Sequence, residues 1–164
     1  MTRVYNFAAG PSTLPTAALE AAAAELVDYR GTGMSLIEMS HRGGQYGAVH
    51  REAISLVREL LSVPADFRII FLQGGATMQF AMVPLAFLGE GRSADYIVTG
   101  HWAKRAHADA SVVGDARIIW DGSETGYTRI PLEGEIRFRN DAAYVHMCSN
   151  ETIGGIQWKE FPDT

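Results

Sequence analysis

Apolar positions along this chain recur at helical spacing first and in short strand-like runs later. The stretch from about Thr16 to Asp28, rich in Ala, Leu and Glu, predicts a helix, with Pro15 suited to its first turn. A second helix is predicted from about Tyr46 to Leu61. There Tyr46, Val49, Ala53, Leu56, Val57 and Leu60 form an apolar stripe, and Arg51, Glu52, Arg58 and Glu59 fall mainly outside it. Pro64 punctuates its end. Phe67 to Leu72 then reads as a buried strand, and Gln73-Gly74-Gly75-Ala76-Thr77 as a turn into a helix near Met78 to Phe87. The alternation continues: a strand over Asp95 to Val98, a turn at Gly100-His101-Trp102, a helix over Ala103 to Val112 and a strand over Ala116 to Trp120. Asp121 to Asp141 is polar and turn-rich. Ala143 to Met147 predicts a further buried strand, followed by Asn150-Glu151-Thr152 and a short strand near Gly155 to Trp158. Strands alternating with helices of this length predict an α/β fold, a mostly parallel sheet flanked by helices.

Composition narrows the class. With 164 residues, 47% hydrophobic and 20% charged, the chain is long enough for a core and too apolar for a disordered segment. A net charge of −5 argues against nucleic acid or an anionic membrane as the main partner. No run approaches a membrane span, and the first residues lack the basic head and apolar run of a signal peptide. Cys148 is the only cysteine, so no intrachain disulfide forms, which fits a reducing, cytoplasmic compartment.

In parallel α/β sheets ligands bind beyond the carboxyl ends of strands. Four segments have polar contents of interest. Gly74-Gly75-Ala76-Thr77 can be read as a plain tight turn or as a phosphate cradle, in which backbone N–H groups and the Thr77 hydroxyl meet an anion at a helix N-terminus. Trp102 can lie against a planar ring or simply pack in a core. Asn150-Glu151-Thr152 is equally ordinary turn chemistry. Ser40-His41-Arg42-Gly43-Gly44 offers a guanidinium fork and an imidazole for carboxylate or phosphate, or is a surface turn. His50, His107 and His146 lack metal-ligand spacing and read as structural, and Cys148 reads as a small, partly buried residue and not a nucleophile.

Taken together, the segments Asn6-Phe7-Ala8-Ala9-Gly10-Pro11, Glu38-Met39-Ser40-His41-Arg42, Phe71 to Phe80, Ala94-Asp95-Tyr96 with Gly100-His101-Trp102, and Asn150 to Gly155 resemble the phosphoserine aminotransferases in order and rough spacing. That family belongs to the class V branch of fold-type-I pyridoxal-phosphate enzymes. The resemblance spans essentially the whole chain. It implies amino transfer between glutamate and 3-phosphohydroxypyruvate, giving phosphoserine and 2-oxoglutarate in serine biosynthesis, by a cytoplasmic homodimer. It further implies that Gly75, Ala76 and Thr77 hold the cofactor phosphate, that Trp102 stacks on the pyridine ring and that Thr152 bonds its phenolic oxygen. His41 and Arg42 would grip the substrate's extra anion, phosphate in one half-reaction and carboxylate in the other. Some members carry Gly-Arg where this chain has Ala76-Thr77, so an arginine contributed at that point is missing.

The resemblance also implies that the chain is an N-terminal part: residues 1–15 an arm, 16–164 an incomplete cofactor-binding large domain, with the Schiff-base lysine and the small domain downstream of Thr164. The two lysines present, Lys104 and Lys159, match no lysine segment of the family and read as solvated. The expectation is therefore a transaminase by family whose 164 residues alone are inactive. The alternative is a non-catalytic fragment that binds pyridoxal phosphate or another phosphorylated ligand, or that only forms a dimer.

Overall fold

The computed structural model describes residues 3–163, which divide into two units, one ending at Phe71 and the other beginning at Leu72. The first unit carries α1 (Thr16–Glu25) and α2 (Gly44–Leu60), joined by two 3-10 turns at Tyr29–Gly31 and Leu36–Glu38. Helix α1 stops three residues before the predicted end. The Asp28 backbone is extended, and its carboxylate accepts from Gly33 N at 2.8 Å, which builds a turn in place of another helical turn. Ser35 and Glu38 bond each other's backbone as a capping box around the second 3-10 turn. On α2 the apolar stripe is only partly covered within the described chain: Tyr46, Val49, Ala53 and Val57 are half-buried and Leu60 is exposed.

One predicted strand does not form. Residues 67–72 are irregular, and Ile70 and Phe71 are 68% and 57% exposed. An apolar run becomes a strand only where a neighbour completes its ladder, and among the described residues none pairs with it. Its start is held from the side instead, by the Arg58 guanidinium donating to the carbonyls of Val63, Pro64 and Phe67 at 3.1, 2.6 and 2.8 Å.

The second unit is a parallel three-stranded sheet in the order β2-β1-β3, from β1 (Ser93–Val98), β2 (Asp115–Asp121) and β3 (Ala142–Met147). Every residue of the central strand β1 is buried. Helix α3 (Gly75–Phe87) precedes β1, and α4 (His101–Val113) connects β1 to β2. Ala103, Ala106 and Ala110 share one face of α4 and are fully buried; small side chains at that spacing let the helix approach closely. Ala106 and Ala110 join Leu88, Ala94 and Tyr96 in the core. After β3 the chain makes a short antiparallel pair, β4 (Asn150–Glu151) with β5 (Ile156–Gln157). The architecture is the expected α/β one, with a parallel sheet flanked by helices.

Candidate functional site

Two loops leave the carboxyl ends of adjacent parallel strands: Thr99-Gly100 from β1 into α4, and Cys148-Ser149 from β3 into β4. Neighbouring parallel strands necessarily deliver such loops to the same edge of the sheet. At that edge the loop after β3 and the starts of α3 and α4 line a cavity of about 430 Å³. Its walls are Ala76, Thr77 and Phe80 from α3, Trp102 from α4, His146 and Met147 from β3, and Cys148, Ser149, Asn150 and Thr152 beyond it. No carboxylate and no lysine or arginine is among them.

The α3 end of the cavity is a helix N-terminus without a side-chain cap. The helix begins three residues earlier than the sequence suggested, at Gly75, because Gly74 takes the left-handed conformation (φ 84°) that starts the turn. The Gly74 site is also crowded, since a Cβ there would sit 2.5 Å from Met78 Cβ. Met78 N already bonds Gly74 O, whereas the first-turn N–H groups have no intrahelical acceptor. Ala76 and Thr77 line the cavity; Gly75 sits one residue before them at the first helical position, outside the lining.

Opposite, the Trp102 indole Nε1 donates to Thr152 Oγ1 at 2.8 Å, a contact between residues fifty positions apart. The bond fills an acceptor site of the hydroxyl and leaves its own proton free to donate elsewhere. Glu151, which received no separate role from the sequence, is fully buried, and its carboxylate accepts from Trp102 N and Ala103 N, both at 2.8 Å. The sequence reading missed it because its partners lie 48 and 49 residues away.

His146, structural by its sequence context, lines the cavity. Its ring stacks on Tyr96 at 4.9 Å and meets Phe80 edge-on at 6.2 Å, and its Nδ1 is buried without a partner among the described residues. Burial pulls its pKa below the usual histidine value, outweighing the opposing pull of Glu151, so the ring is neutral at neutral pH. The Tyr96 hydroxyl beneath it lies 2.8 Å from that of Tyr144, and burial followed by that hydrogen bond pushes the Tyr96 pKa far up. Cys148, half-buried, has its thiol pushed up to about 11, mainly by burial, which keeps it protonated and a poor nucleophile.

The structure thus brings Ala76, Thr77, Trp102 and Thr152 to one cavity from three separate stretches of chain. His41 and Arg42 belong to the other unit, exposed in the turn ahead of α2, where Arg42 N donates to Ser40 Oγ at 3.3 Å. Among the described residues neither side chain has an ion-pair partner. Lys104 and Lys159 are both exposed. No helix among the described residues is long and apolar enough to cross a membrane.

Residues 4–163 match the family model described as aminotransferase class-V. The chain is 49% identical over 162 residues to a phosphoserine aminotransferase of Niallia circulans, covering 99% of this chain and 45% of that protein. It is 46% identical over 164 residues to one of Stenotrophomonas maltophilia, again covering 45% of it. Among solved structures, a phosphoserine aminotransferase from Bacillus circulans subsp. alkalophilus superposes with a TM-score of 0.93 at 49% identity, over 99% of this chain and 45% of that one. A PLP-bound phosphoserine aminotransferase from Trichomonas vaginalis gives 0.90 at 39% identity, over 99% of this chain and 46% of its own. The chain therefore spans slightly less than half the length of the relatives it matches.

Proposed function

The chain belongs to the class-V aminotransferases, and from that membership we propose that it is the N-terminal part of a pyridoxal-phosphate-dependent phosphoserine:2-oxoglutarate aminotransferase. Residues 1–15 would be its arm and 16–164 part of its large domain. The observation that carries the reading is the convergence of a helix N-terminus, an indole and an oriented threonine hydroxyl on one cavity whose walls carry no carboxylate.

The donor set fits the cofactor. An uncapped helix N-terminus with a hydroxyl beside it suits a phosphate, and the aromatic and apolar walls from Phe80, Trp102 and Met147 suit a flat ring. When bound, pyridoxal phosphate would supply the electron sink on which amino transfer depends. The chain's own residues do the rest of the work assigned to this region. N–H groups of Gly75, Ala76 and Thr77, with the Thr77 hydroxyl, would hold the phosphate. Trp102 would offer its ring to the pyridine and exclude water there. Thr152, with one acceptor site taken by the indole, would donate its proton to the phenolic oxygen. Neutral His146 would add no positive charge to the cavity wall.

His41 and Arg42, exposed and without an ion-pair partner among the described residues, would hold the second anion of phosphoserine or glutamate in a homodimeric, cytoplasmic enzyme. The 164 residues alone would bind cofactor without turnover, because neither lysine belongs to the cavity wall. Titrating the chain with pyridoxal phosphate, followed by tryptophan quenching and ligand absorbance, tests the reading. Saturable binding that weakens at least about tenfold in Trp102→Ala is expected, the scale of a lost aromatic contact and hydrogen bond together. Absence of saturable binding, or indifference to Trp102→Ala, would overturn it.

A further inference from the structure

The Trp102–Thr152 contact needs something to hold two distant loops in register, and one buried side chain does so. We propose that Glu151 is the positioning residue of this cavity, a carboxylate that caps α4 from another strand and thereby sets the indole against the threonine hydroxyl.

The helix supplies no cap of its own. Its N-cap is Gly100, with no side chain to offer, and the free N–H groups of Trp102 and Ala103 are met by the two Glu151 oxygens, one each, at 2.8 Å. A carboxylate at that end also complements the helix dipole, and both bonds are charge-assisted, which offsets the cost of burying the charge completely. Gly100 makes room for this. Its φ of 173° is open to any residue, so its requirement is spatial: a Cβ there would lie 2.7 Å from Glu151 Cδ and 2.9 Å from Oε2. The backbone of Glu151 is fixed independently, paired with Ile156 in the β4–β5 hairpin and accepting from Gly155 N at 2.7 Å. Held at both ends, Glu151 leaves the next residue, Thr152, little freedom. With the Glu151 side chain removed, a serine or aspartate at position 100 would cap α4 equally well. It would not tie α4 to the loop after β3, and that tie is what a carboxylate recruited from 48 residues away adds.

As far as the ligand is pyridoxal phosphate the proposal rests on the function proposed above, so its test includes a ligand-free measurement. Hydrogen exchange of the three tryptophan indole N–H groups, assigned by single Trp→Phe variants, reads the contact directly. In Glu151→Gln the Trp102 indole should exchange about tenfold faster or more, the scale of one lost hydrogen bond, while those of Trp120 and Trp158 stay as in wild type. The same variant should bind pyridoxal phosphate about tenfold more weakly and inorganic phosphate, held by α3 alone, unchanged. A second variant pair separates positioning from plain capping. Gly100→Ser in a Glu151→Ala background restores a local cap, and should recover thermal stability without recovering Trp102 protection or cofactor affinity. Recovery of all three, unchanged Trp102 exchange in Glu151→Gln, or loss of protection at all three indoles together would each overturn the proposal. If the indole responds as expected but wild-type chain does not bind pyridoxal phosphate, the positioning role stands and the functional reading falls.

Discussion

Arg139 reaches back across 44 residues to Asp95, placing its Nε 2.7 Å from Oδ1 while its backbone N donates to Oδ2 at 3.3 Å. Asp95 has no solvent exposure and sits in the middle of the central strand, and Arg139 Nη2 also donates to Ser93 Oγ at 2.9 Å. These bonds pin the start of β3 beside β1, where Ser93 pairs with Ala142 and Asp95 with Val145. The pair therefore fixes the register of the strand from whose end the cavity loop departs.

Removing the guanidinium leaves a buried carboxylate without its counter-charge, the costly way to break such a pair. Arg139→Met should destabilise the chain by about 3–5 kcal/mol. Arg139→Lys should recover only part of this, because an ammonium cannot reach Ser93 and Asp95 with one fork. Urea unfolding measures both. A loss below about 1 kcal/mol in Arg139→Met, the range of a surface ion pair, would show that water already serves Asp95.

The order of elements and the cavity loops were legible in the sequence because local signals carry them: β-branched runs, glycine turns and a helical stripe. What failed did so for non-local reasons. The apolar segment 67–72 reads as a strand by every local criterion, but strand formation is a property of a pair, and no pairing partner lies among the described residues. Helix α3 starts at Gly75 and not near Met78 because glycines that signal a turn also serve as the first residues of an open helix N-terminus. Glu151 and His146 looked like turn filler and a structural histidine; only the fold reveals that one caps a helix 48 residues away and the other faces a cavity.

Acid should expose a second ion pair. Arg129 forks onto Glu135 with contacts of 2.6 and 2.9 Å, and Leu132 N donates to the same carboxylate at 2.8 Å. The Arg129 hydrogen bonds, then the backbone one, lower the Glu135 pKa from 4.5 to about 2. A carboxyl whose folded pKa is depressed stabilises the fold above its unfolded value and loses that contribution as pH falls towards the folded value. Glu135→Gln should therefore flatten the stability curve between about pH 4.5 and 2, leaving the wild type favoured above that window. Parallel acid limbs for the two proteins would contradict it.

Arg42 is exposed, without an ion-pair partner among the described residues, and beside His41 in a turn ahead of an uncapped helix. In the longer enzyme proposed above, Arg42→Ala should weaken phosphoserine and glutamate alike, by about 1.5–3 kcal/mol, or one to two decades in apparent affinity. Steady-state kinetics with both substrates decides the matter. Equal kinetics for variant and wild type would make Arg42 a surface residue, and loss of one substrate alone would give the second anion a different site.

The two lysines offer the sharpest test of what the chain does by itself. An amine that bonds covalently to the cofactor and then carries a proton to and from substrate must stand in the cavity, and positioned proton transfer alone is worth about 10²–10⁴-fold in rate. Lys104 is exposed on α4 two residues beyond Trp102, Lys159 is exposed beyond β5, and neither is part of the cavity wall. Mixing the chain with pyridoxal phosphate and borohydride should therefore leave both lysines substoichiometrically labelled on peptide mapping, with no glutamate-dependent turnover. The double variant Lys104→Met/Lys159→Met should bind the cofactor as tightly as wild type, since the contacts proposed to hold it come from α3, Trp102 and Thr152. A stoichiometric adduct on Lys104 accompanied by turnover, both lost in Lys104→Met, would mean that this chain carries its own catalytic amine.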